Sequence, residues 1–203
     1  MKAIYIDSQP IQPSKIICVG RNYLDHVNEL GNAIPDSMVV FLKPNSAISN
    51  QLNAYHQEPL HYEGEICFTI REGELFAVGF GLDLTKRNLQ TELKSKSLPW
   101  ERAKAFDGSA VFGEFVKLPS KWNELSVDLS INGINTQSGH TGMMMYPPDH
   151  ILAELKTFLT LNDGDILMTG TPKGVGVIHK GDIFSGSISA GERQLVTSEW
   201  RAI

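Results

Sequence analysis

Cysteine is scarce in this sequence, and its scarcity removes one class of protein. Only Cys18 and Cys67 occur among the 203 residues, and both lie within apolar segments. Two thiols cannot build the disulfide framework that supports small secreted domains. We therefore expect two buried free thiols and a protein that resides in a reducing cytoplasm.

Positive charge and long apolar runs are also lacking. The formal net charge is -5 at pH 7, which argues against nucleic acid as a main partner because phosphate binding needs clustered lysine and arginine. No apolar run approaches the roughly 20 residues of a membrane span, and residues 1–7 lack a signal-peptide core. With 41% hydrophobic and 20% charged residues, the composition predicts a soluble globular protein without a membrane partner.

Several motifs of catalysis and metal binding are absent from the sequence. The chain has no His-Glu-x-x-His motif, no Cys-x-x-Cys pair and no histidine cluster, so zinc is not expected. It also lacks the Gly-x-Ser-x-Gly elbow of many serine hydrolases. The glycine-rich stretch 170–176 lacks the spacing of a phosphate-binding loop, and its glycines are interpreted as serving tight turns.

Short apolar runs separated by turn residues are abundant. Eighteen glycines and ten prolines are spread through the chain, which favours a β-rich fold with few helices. The predicted strands are 15–20, 38–42, 77–82, 127–131 and 166–168, and the predicted helices are 22–30, 86–96 and a third that begins at 147–149. Asn22, Thr85 and Asp149 are the predicted helix caps. No repeat or linker occurs, so we expect a single domain over 1–203 with a short N-terminal strand segment at 1–14.

The alternating stretch 61–70 carries the first chemical signal. As a strand it places Glu63 and Glu65 on one face, about 7 Å apart at roughly 3.3 Å of rise per residue. Such a pair can close on one hard cation, although a solvated acidic face is the alternative. Gly64 between them is interpreted as a site of close backbone packing. Asp83 follows another predicted strand, and it is either a helix cap or a third oxygen ligand suited to Mg²⁺ or Mn²⁺.

Two further segments contain a candidate general base and a candidate positively charged site residue. His26 and Glu29 lie three residues apart on a predicted helix, so they face each other. Glu29 would fix the imidazole tautomer and make His26 a better base, or the two form an ordinary surface pair. Lys104 would be solvated by default, but its segment is apolar, which makes it a candidate site residue.

Six sequence segments follow one another in a recognisable order. They are ICVGRNYLDH at 17–26, FLKP at 41–44, HYEGE at 61–65, LDLTKRNLQ at 82–90, PWERAKAFD at 99–107 and LMTGTPKGVG at 167–176. Together they resemble the fumarylacetoacetate hydrolase family, and specifically its acylpyruvase/oxaloacetate decarboxylase branch. The resemblance covers nearly the whole chain from residue 15 to about residue 185.

This resemblance implies a fold, a cofactor and a set of site residues. The implied fold is α+β and β-rich, a mixed β-sandwich roll with a few short helices, usually found as a homodimer. The three carboxylates would bind Mg²⁺ or Mn²⁺, and His26 with Glu29 would form a dyad on a lid helix at about 22–31. The residues that match the family's substrate pocket are Lys104, Arg21, Gln90 and Thr171.

Three departures from the family pattern alter these expectations. Asn88 stands where the family commonly has aspartate, so we expect Arg87 to lose a supporting charge. The stretch 70–77 is short, which predicts that a helical segment of many relatives is missing there. The segment 107–110 is smaller than usual, which predicts a wider pocket.

The implied chemistry is metal-dependent cleavage of a carbon–carbon bond in a small β-diketo or β-keto acid. Hydrolysis of an acylpyruvate, such as fumarylpyruvate or acetylpyruvate, to pyruvate and a carboxylic acid is the main expectation. Decarboxylation of oxaloacetate and keto–enol tautomerisation are alternatives that would use the same site. A non-catalytic metal-binding relative is the other class of protein to be weighed.

Overall fold

A computed structural model describes residues 1–31, 33–120 and 122–203. The strands are β1 (Ile4–Ile6), β2 (Gln9–Ile11), β3 (Lys15–Gly20), β4 (Val39–Pro44), β5 (Ile48–Ser49), β6 (Leu60–Tyr62), β7 (Gly64–Arg71), β8 (Glu74–Asp83), β9 (Thr85–Lys86), β10 (Ala110–Lys117), β11 (Leu125–Ile131), β12 (Ile134–His140), β13 (Ile166–Met168), β14 (Gly176–Val177), β15 (Ile183–Ala190) and β16 (Arg193–Arg201). The α-helices are α1 (Leu24–Glu29), α2 (Arg87–Ser95), α3 (Glu101–Lys104) and α4 (Pro148–Leu155), and short 3₁₀ turns lie at Asn45–Ala47, Trp122–Glu124 and Thr141–Met143.

The strands of the described residues form three sheets. The largest is mixed, with the order β2-β1-β10-β8-β7-β13-β3-β4 and with β5 paired to β10. A four-stranded antiparallel sheet has the order β12-β11-β15-β16, and a small sheet joins β14, β6 and β9. This architecture confirms the predicted β-rich α+β fold with few helices.

The hairpin of β7 and β8 lies in the middle of the large sheet. Glu72 and Gly73 form its two-residue turn, both with positive φ (53° and 74°), as a type I′ hairpin turn requires. The turn joins the strands directly, as expected from the short stretch 70–77. Thr69 pairs with Ala77 but Ile70 pairs with Leu75, so a β-bulge leaves Phe76 without a partner in the ladder.

The alternation predicted for 61–70 sends side chains to two different cores. Ile66 and Phe68 pack in the larger cluster, which also includes Phe184 of the four-stranded sheet. Cys67 packs with Cys18 in a second cluster. Both cysteines are free and buried, as expected. The two faces of β7 are therefore both buried, because apolar layers cover the large sheet on each side.

The three predicted helix caps are wrong. None of their side chains forms a capping hydrogen bond, and the cap positions belong to Tyr23, Lys86 and Pro147. The buried Asn22 amide instead donates to the carbonyls of Tyr146 and Thr169 and accepts from the Tyr146 N–H. Tertiary partners thus compete successfully for a side chain whose local preference is to cap. The predicted caps Thr85 and Asp149 lie in β9 and in the first turn of α4.

The apolar faces of α1 and α4 are narrow. Of the apolar residues Leu24, Val27 and Leu30 in and directly after α1, only Val27 is buried, whereas Leu24 and Leu30 are 44% and 37% exposed. Gly31 follows the C-cap Leu30 with φ of +60°, a left-handed conformation that favours glycine after a helix. Helix α4 ends at Leu155, so Phe158 lies beyond it and is 58% exposed. Within the described ranges, no helix has the length and apolar character needed to cross a bilayer.

Candidate active site

Three carboxylates converge where strand β7 begins and strand β8 ends. Glu63 directly precedes β7, Glu65 lies within it, and Asp83 ends β8. Gly64 pairs with Leu82, and the Asp83 N–H donates to the Glu63 carbonyl at 2.9 Å, so antiparallel pairing brings the three side chains together. Their nearest ligand atoms all lie within 4.8 Å of one another, and all three residues are buried. The hairpin register therefore creates the acidic cluster.

Two lysines and an arginine surround this acidic cluster. The Lys104 ammonium lies 2.8 Å from both Glu63 Oε2 and Asp83 Oδ2. Lys43 Nζ lies 2.8 Å from Asp83 Oδ1, and it also donates to the Lys104 carbonyl. Arg87 Nη2 lies 2.5 Å from Glu63 Oε1. Sequence reasoning missed Lys43, because lysine is exposed by default, yet its position inside the strand β4 pattern was a usable signal.

The neighbouring cations stabilise the ionised form of Glu63 more strongly than that of Glu65. Burial acts to raise the pKa of Glu63, but Lys104 and Arg87 outweigh it and hold that pKa well below its usual range. The pKa of Glu65 is raised well above its usual value by burial and then by the charges of Asp83 and Glu63. Burial would lower the pKa of Lys104, but Asp83 and Glu63 outweigh it and raise that pKa. Glu65 is thus the carboxyl group whose ionised form the surrounding cations stabilise least.

This donor set fits a divalent metal ion. Asp83 Oδ1 is buried and makes no hydrogen bond among the described residues, although the Lys43 ammonium is nearby. Glu65 Oε2 accepts from the Gly170 N–H at 2.8 Å, while the carboxyl group as a whole is repelled by its two acidic neighbours. Three carboxylate groups at such distances suit a hard cation. The cluster can therefore bind a divalent metal.

The histidine–glutamate pair on α1 faces the same cleft. His26 Nδ1 lies 3.1 Å from Glu29 Oε2, and His26 is buried and lines the cleft together with the acidic cluster. The other Glu29 oxygen accepts from the Gly174 N–H at 2.9 Å. Gly174 has φ of +102°, and a Cβ there would lie 2.1 Å from the Thr136 carbonyl oxygen, so only glycine fits this loop. One carboxylate thus orients the imidazole and fastens α1 to the 170–176 loop.

The predicted pocket residues also line this cleft. Gln90 accepts from Arg87 Nη1 at 2.8 Å, and Thr171 donates to the Gly64 carbonyl at 2.9 Å. Arg21 has positive φ (57°), and its guanidinium lies 5.9 Å from the Trp100 ring centroid. The structure therefore brings together every residue that was predicted from the family resemblance. Lys94, which sequence reasoning missed, completes the cationic lining.

Two expectations about family departures are wrong. Arg87 does not lose its supporting charge, because Glu63 supplies a carboxylate in direct contact. The Asn88 backbone N–H instead donates to Glu58 Oε1 at the start of α2. The segment 107–110 does not line the cleft, so its small residues do not widen it.

Comparisons with known proteins identify the family. Residues 15–197 match the model described as the fumarylacetoacetate (FAA) hydrolase C-terminal family. The mitochondrial oxaloacetate tautomerase of Bos taurus is 37% identical over 191 residues, covering 85% of this chain and 86% of the relative. An oxaloacetate tautomerase of Escherichia coli (strain K12) is 34% identical over 192 residues, covering 83% and 85%.

Solved structures agree with this assignment. A fumarylacetoacetate isomerase/hydrolase structure from Oleispira antarctica superposes with a TM-score of 0.93 at 34% identity, covering 100% of both chains. The fumarylpyruvate hydrolase of Pseudomonas aeruginosa, solved with Mn²⁺ and pyruvate, gives a TM-score of 0.90 at 27% identity and covers 100% of this chain and 95% of that one. The chain belongs to the fumarylacetoacetate hydrolase family, and it is an enzyme of that family.

Proposed function

We propose that this enzyme catalyses keto–enol tautomerisation of a small β-keto dicarboxylic acid, with oxaloacetate as the substrate. The observation that carries the proposal is the buried His26, which contacts Glu29 and lines the same cleft as three clustered carboxylates. A base and a divalent-cation site are what proton transfer next to a carbonyl group requires. The names of the relatives from Bos taurus and Escherichia coli support this reaction.

Glu63, Glu65 and Asp83 are the residues that would hold the metal ion, Mg²⁺ or Mn²⁺. The ion would supply Lewis acidity that stabilises negative charge on a carbonyl oxygen of the substrate. The Mn²⁺ and pyruvate bound by the Pseudomonas aeruginosa relative support a divalent ion beside a keto acid.

The dyad would move the proton. A carboxylate can only accept, so the Glu29 contact places a hydrogen on His26 Nδ1 and leaves Nε2 as the proton acceptor. In this scheme Nε2 removes a proton from the methylene carbon, and the C–H electron pair becomes the new carbon–carbon double bond. The carbonyl oxygen becomes an enolate and then takes back one proton. Lys104, held against Glu63 and Asp83, would contact that oxygen or the neighbouring carboxylate.

The cationic wall of the cleft supports a dicarboxylate substrate. Arg21, Arg87 and Lys94 line the cleft together with the acidic cluster, which Arg87 contacts through Glu63. Burial lowers the pKa of Lys94, and the positive charges of Arg21 and Arg87 lower it further. A wall whose cations repel one another is stabilised by a bound anion. The second carboxylate of oxaloacetate is such an anion, whereas acetylpyruvate has a methyl group at that end.

Helix α1 would act as a lid over this site. The cavity beneath it has a volume of about 40 Å³, which is room for only a few water molecules. A four-carbon diacid needs more space, so we infer that α1 moves away during substrate entry. We further propose one catalytic domain over 1–203, a homodimeric assembly and a cytoplasmic location.

Acylpyruvate hydrolysis is the second candidate, supported by the Pseudomonas aeruginosa fumarylpyruvate hydrolase. Here His26 would direct a water molecule at the distal carbonyl carbon instead of removing a substrate proton. Decarboxylation of oxaloacetate would form the same enolate by loss of CO₂. The relatives' names support tautomerisation better than the hydrolysis that the sequence suggested first.

One experiment separates these reactions. The chain with Mg²⁺ or Mn²⁺ is given enol oxaloacetate, and the decay of the enol absorbance is followed in the ultraviolet, with pyruvate measured in parallel. We expect accelerated decay without matching pyruvate release, and its loss in His26→Ala. Pyruvate formed at the rate of enol loss would show decarboxylation, and turnover of fumarylpyruvate but not of enol oxaloacetate would show hydrolysis.

A further inference from the structure

A buried glutamine of the second sheet reaches the acidic cluster. Gln137 lies on β12 and is 2% exposed. Its Oε1 accepts from the Gly64 N–H at 2.9 Å. Its Nε2 donates to Thr171 Oγ1 and to the Pro172 carbonyl, both at 2.8 Å. Both amide hydrogens and the carbonyl oxygen of Gln137 are therefore bonded to segments that form the cleft.

The partners of Gln137 lie where the pairing of β7 with β13 ends in the large sheet. Strand β13 pairs with β7 only as far as Met168 and Cys67. The Thr169 N–H still donates to the Ile66 carbonyl at 3.2 Å, and beyond it hydrogen bonds that involve side chains replace the ladder. Thr171 Oγ1 donates to the Gly64 carbonyl, and Gln137 accepts from the Gly64 N–H. Gly64 lies between the candidate metal ligands Glu63 and Glu65, and side chains thus bind both its N–H and its carbonyl group.

Close packing makes this arrangement specific. A Cβ on Gly64 would lie 3.0 Å from Gln137 Oε1 and 3.1 Å from Phe80 Cζ. A side chain at position 64 would therefore push the amide away from its partners. The sequence expectation of close backbone packing at Gly64 is confirmed, and Gln137 is one of the groups that pack there.

We propose that Gln137 is a positioning residue that fixes the Glu63–Glu65 backbone and the Thr171 hydroxyl in one rigid unit. The proposal rests on the proposed function for the role of these groups in binding metal and substrate. A bridge between two sheets would hold the carboxylates at the spacing a cation needs, because ligands lose affinity when the groups that orient them are removed. Gln137 itself would touch neither metal nor substrate.

The test is a titration of the full chain with Mn²⁺ alone, which needs no turnover. Gln137→Met keeps the shape of the side chain and removes all three hydrogen bonds. We expect it to weaken Mn²⁺ binding about tenfold, the lower end of the range for groups that orient metal ligands. Gln137→Asn retains the amide but is one methylene too short to span Gly64 and Thr171, and we expect the same direction of change should the first variant not fold.

A double-mutant cycle distinguishes positioning from general stability. Thr171→Val removes the shared partner, so its effect on Mn²⁺ affinity and that of Gln137→Met should be less than multiplicative when combined. Val127→Ala on the adjacent strand β11 is the matched control, because it truncates a buried side chain without removing a hydrogen bond at the cleft. We expect Val127→Ala to leave Mn²⁺ affinity within twofold.

Several results would overturn the proposal. One is Mn²⁺ affinity within twofold of the wild type in both glutamine variants. Another is an equal loss of affinity in Val127→Ala, and a third is multiplicative effects in the cycle. Failure of the proposed function alone would look different, because oxaloacetate would not be turned over while the Mn²⁺ titrations still showed the coupling.

Discussion

Replacing Glu29 with glutamine should separate the two tasks of this carboxylate. In the structure one oxygen contacts His26 Nδ1 at 3.1 Å and the other accepts from the Gly174 N–H at 2.9 Å. An amide has one acceptor oxygen, so Glu29→Gln can keep only one of these bonds and turns an N–H₂ group toward the other donor.

The size of the effect follows from the exposure of the group. A hydrogen bond to a charged group contributes about 1.5–3 kcal/mol, and the Glu29 side chain is 32% exposed, which favours the lower end of that range. A loss of about 1.4 kcal/mol in transition-state stabilisation corresponds to roughly a tenfold fall in rate. We therefore expect Glu29→Gln to lower kcat/KM for enol oxaloacetate about tenfold and to leave Mn²⁺ affinity unchanged.

Asp25→Asn is the matched control for this prediction. Asp25 lies on the same helix and undergoes the same change of charge, but its only described ion pair is an exposed 3.5 Å contact with Lys173. Kinetics should change by less than twofold in this variant. Wild-type kcat/KM in Glu29→Gln, or an equal loss in Asp25→Asn, would refute the assignment of Glu29 to the dyad.

Three further predictions follow from the same structure. Glu65→Gln should abolish Mn²⁺ binding and turnover together, as measured by calorimetry and enol decay; retained affinity would contradict its place among the ligands. Lys94→Met should raise KM for oxaloacetate about tenfold but leave KM for acetylpyruvate within twofold, and equal changes for both would contradict a carboxylate-binding role. Burial raises the pKa of Asp165, but hydrogen bonds from Lys15 and Ser14 outweigh it and lower that pKa. The stabilisation is then present above the unfolded pKa and lost as pH falls below about 4. Asp165→Asn should thus cost about 2–4 kcal/mol of unfolding free energy at pH 7 and progressively less as the pH is lowered below about 4, as measured by urea titrations; a cost independent of pH would contradict this.

Local patterns explain which parts of the site could be predicted. Strand alternation depends on neighbouring residues, so it placed Glu63 and Glu65 on one face without knowledge of the fold. Helical spacing likewise placed His26 against Glu29. The meeting of these groups with Asp83 depends on strand pairing between distant segments, and it was reached through the order of motifs rather than through physics.

The residues that were missed take part in contacts between distant segments. Gln137 belongs to no motif, and its role depends on a second sheet lying against the first. Lys43 reads as an ordinary charged residue until the fold brings its ammonium group against Asp83, which lies on a strand that β4 does not pair with. Asn22 failed as a predicted cap for the same reason, because Tyr146 and Thr169 offered partners that no local window contains.

The β-bulge at Phe76 has a consequence for the acidic cluster some distance away. Near the turn Arg71 pairs with Glu74, and the extra residue shifts every later pair by one position. If Phe76 were instead paired with Thr69 in a regular ladder, Glu63 would stand opposite Leu82, and the side chain of Asp83 would emerge on the reverse side of the hairpin, since side chains alternate along a strand. The bulge therefore sets the register of β7 against β8 at the end of the hairpin where the acidic cluster lies. A one-residue slip that paired Phe76 in the ladder would dismantle the cluster while leaving all three acidic residues in the chain.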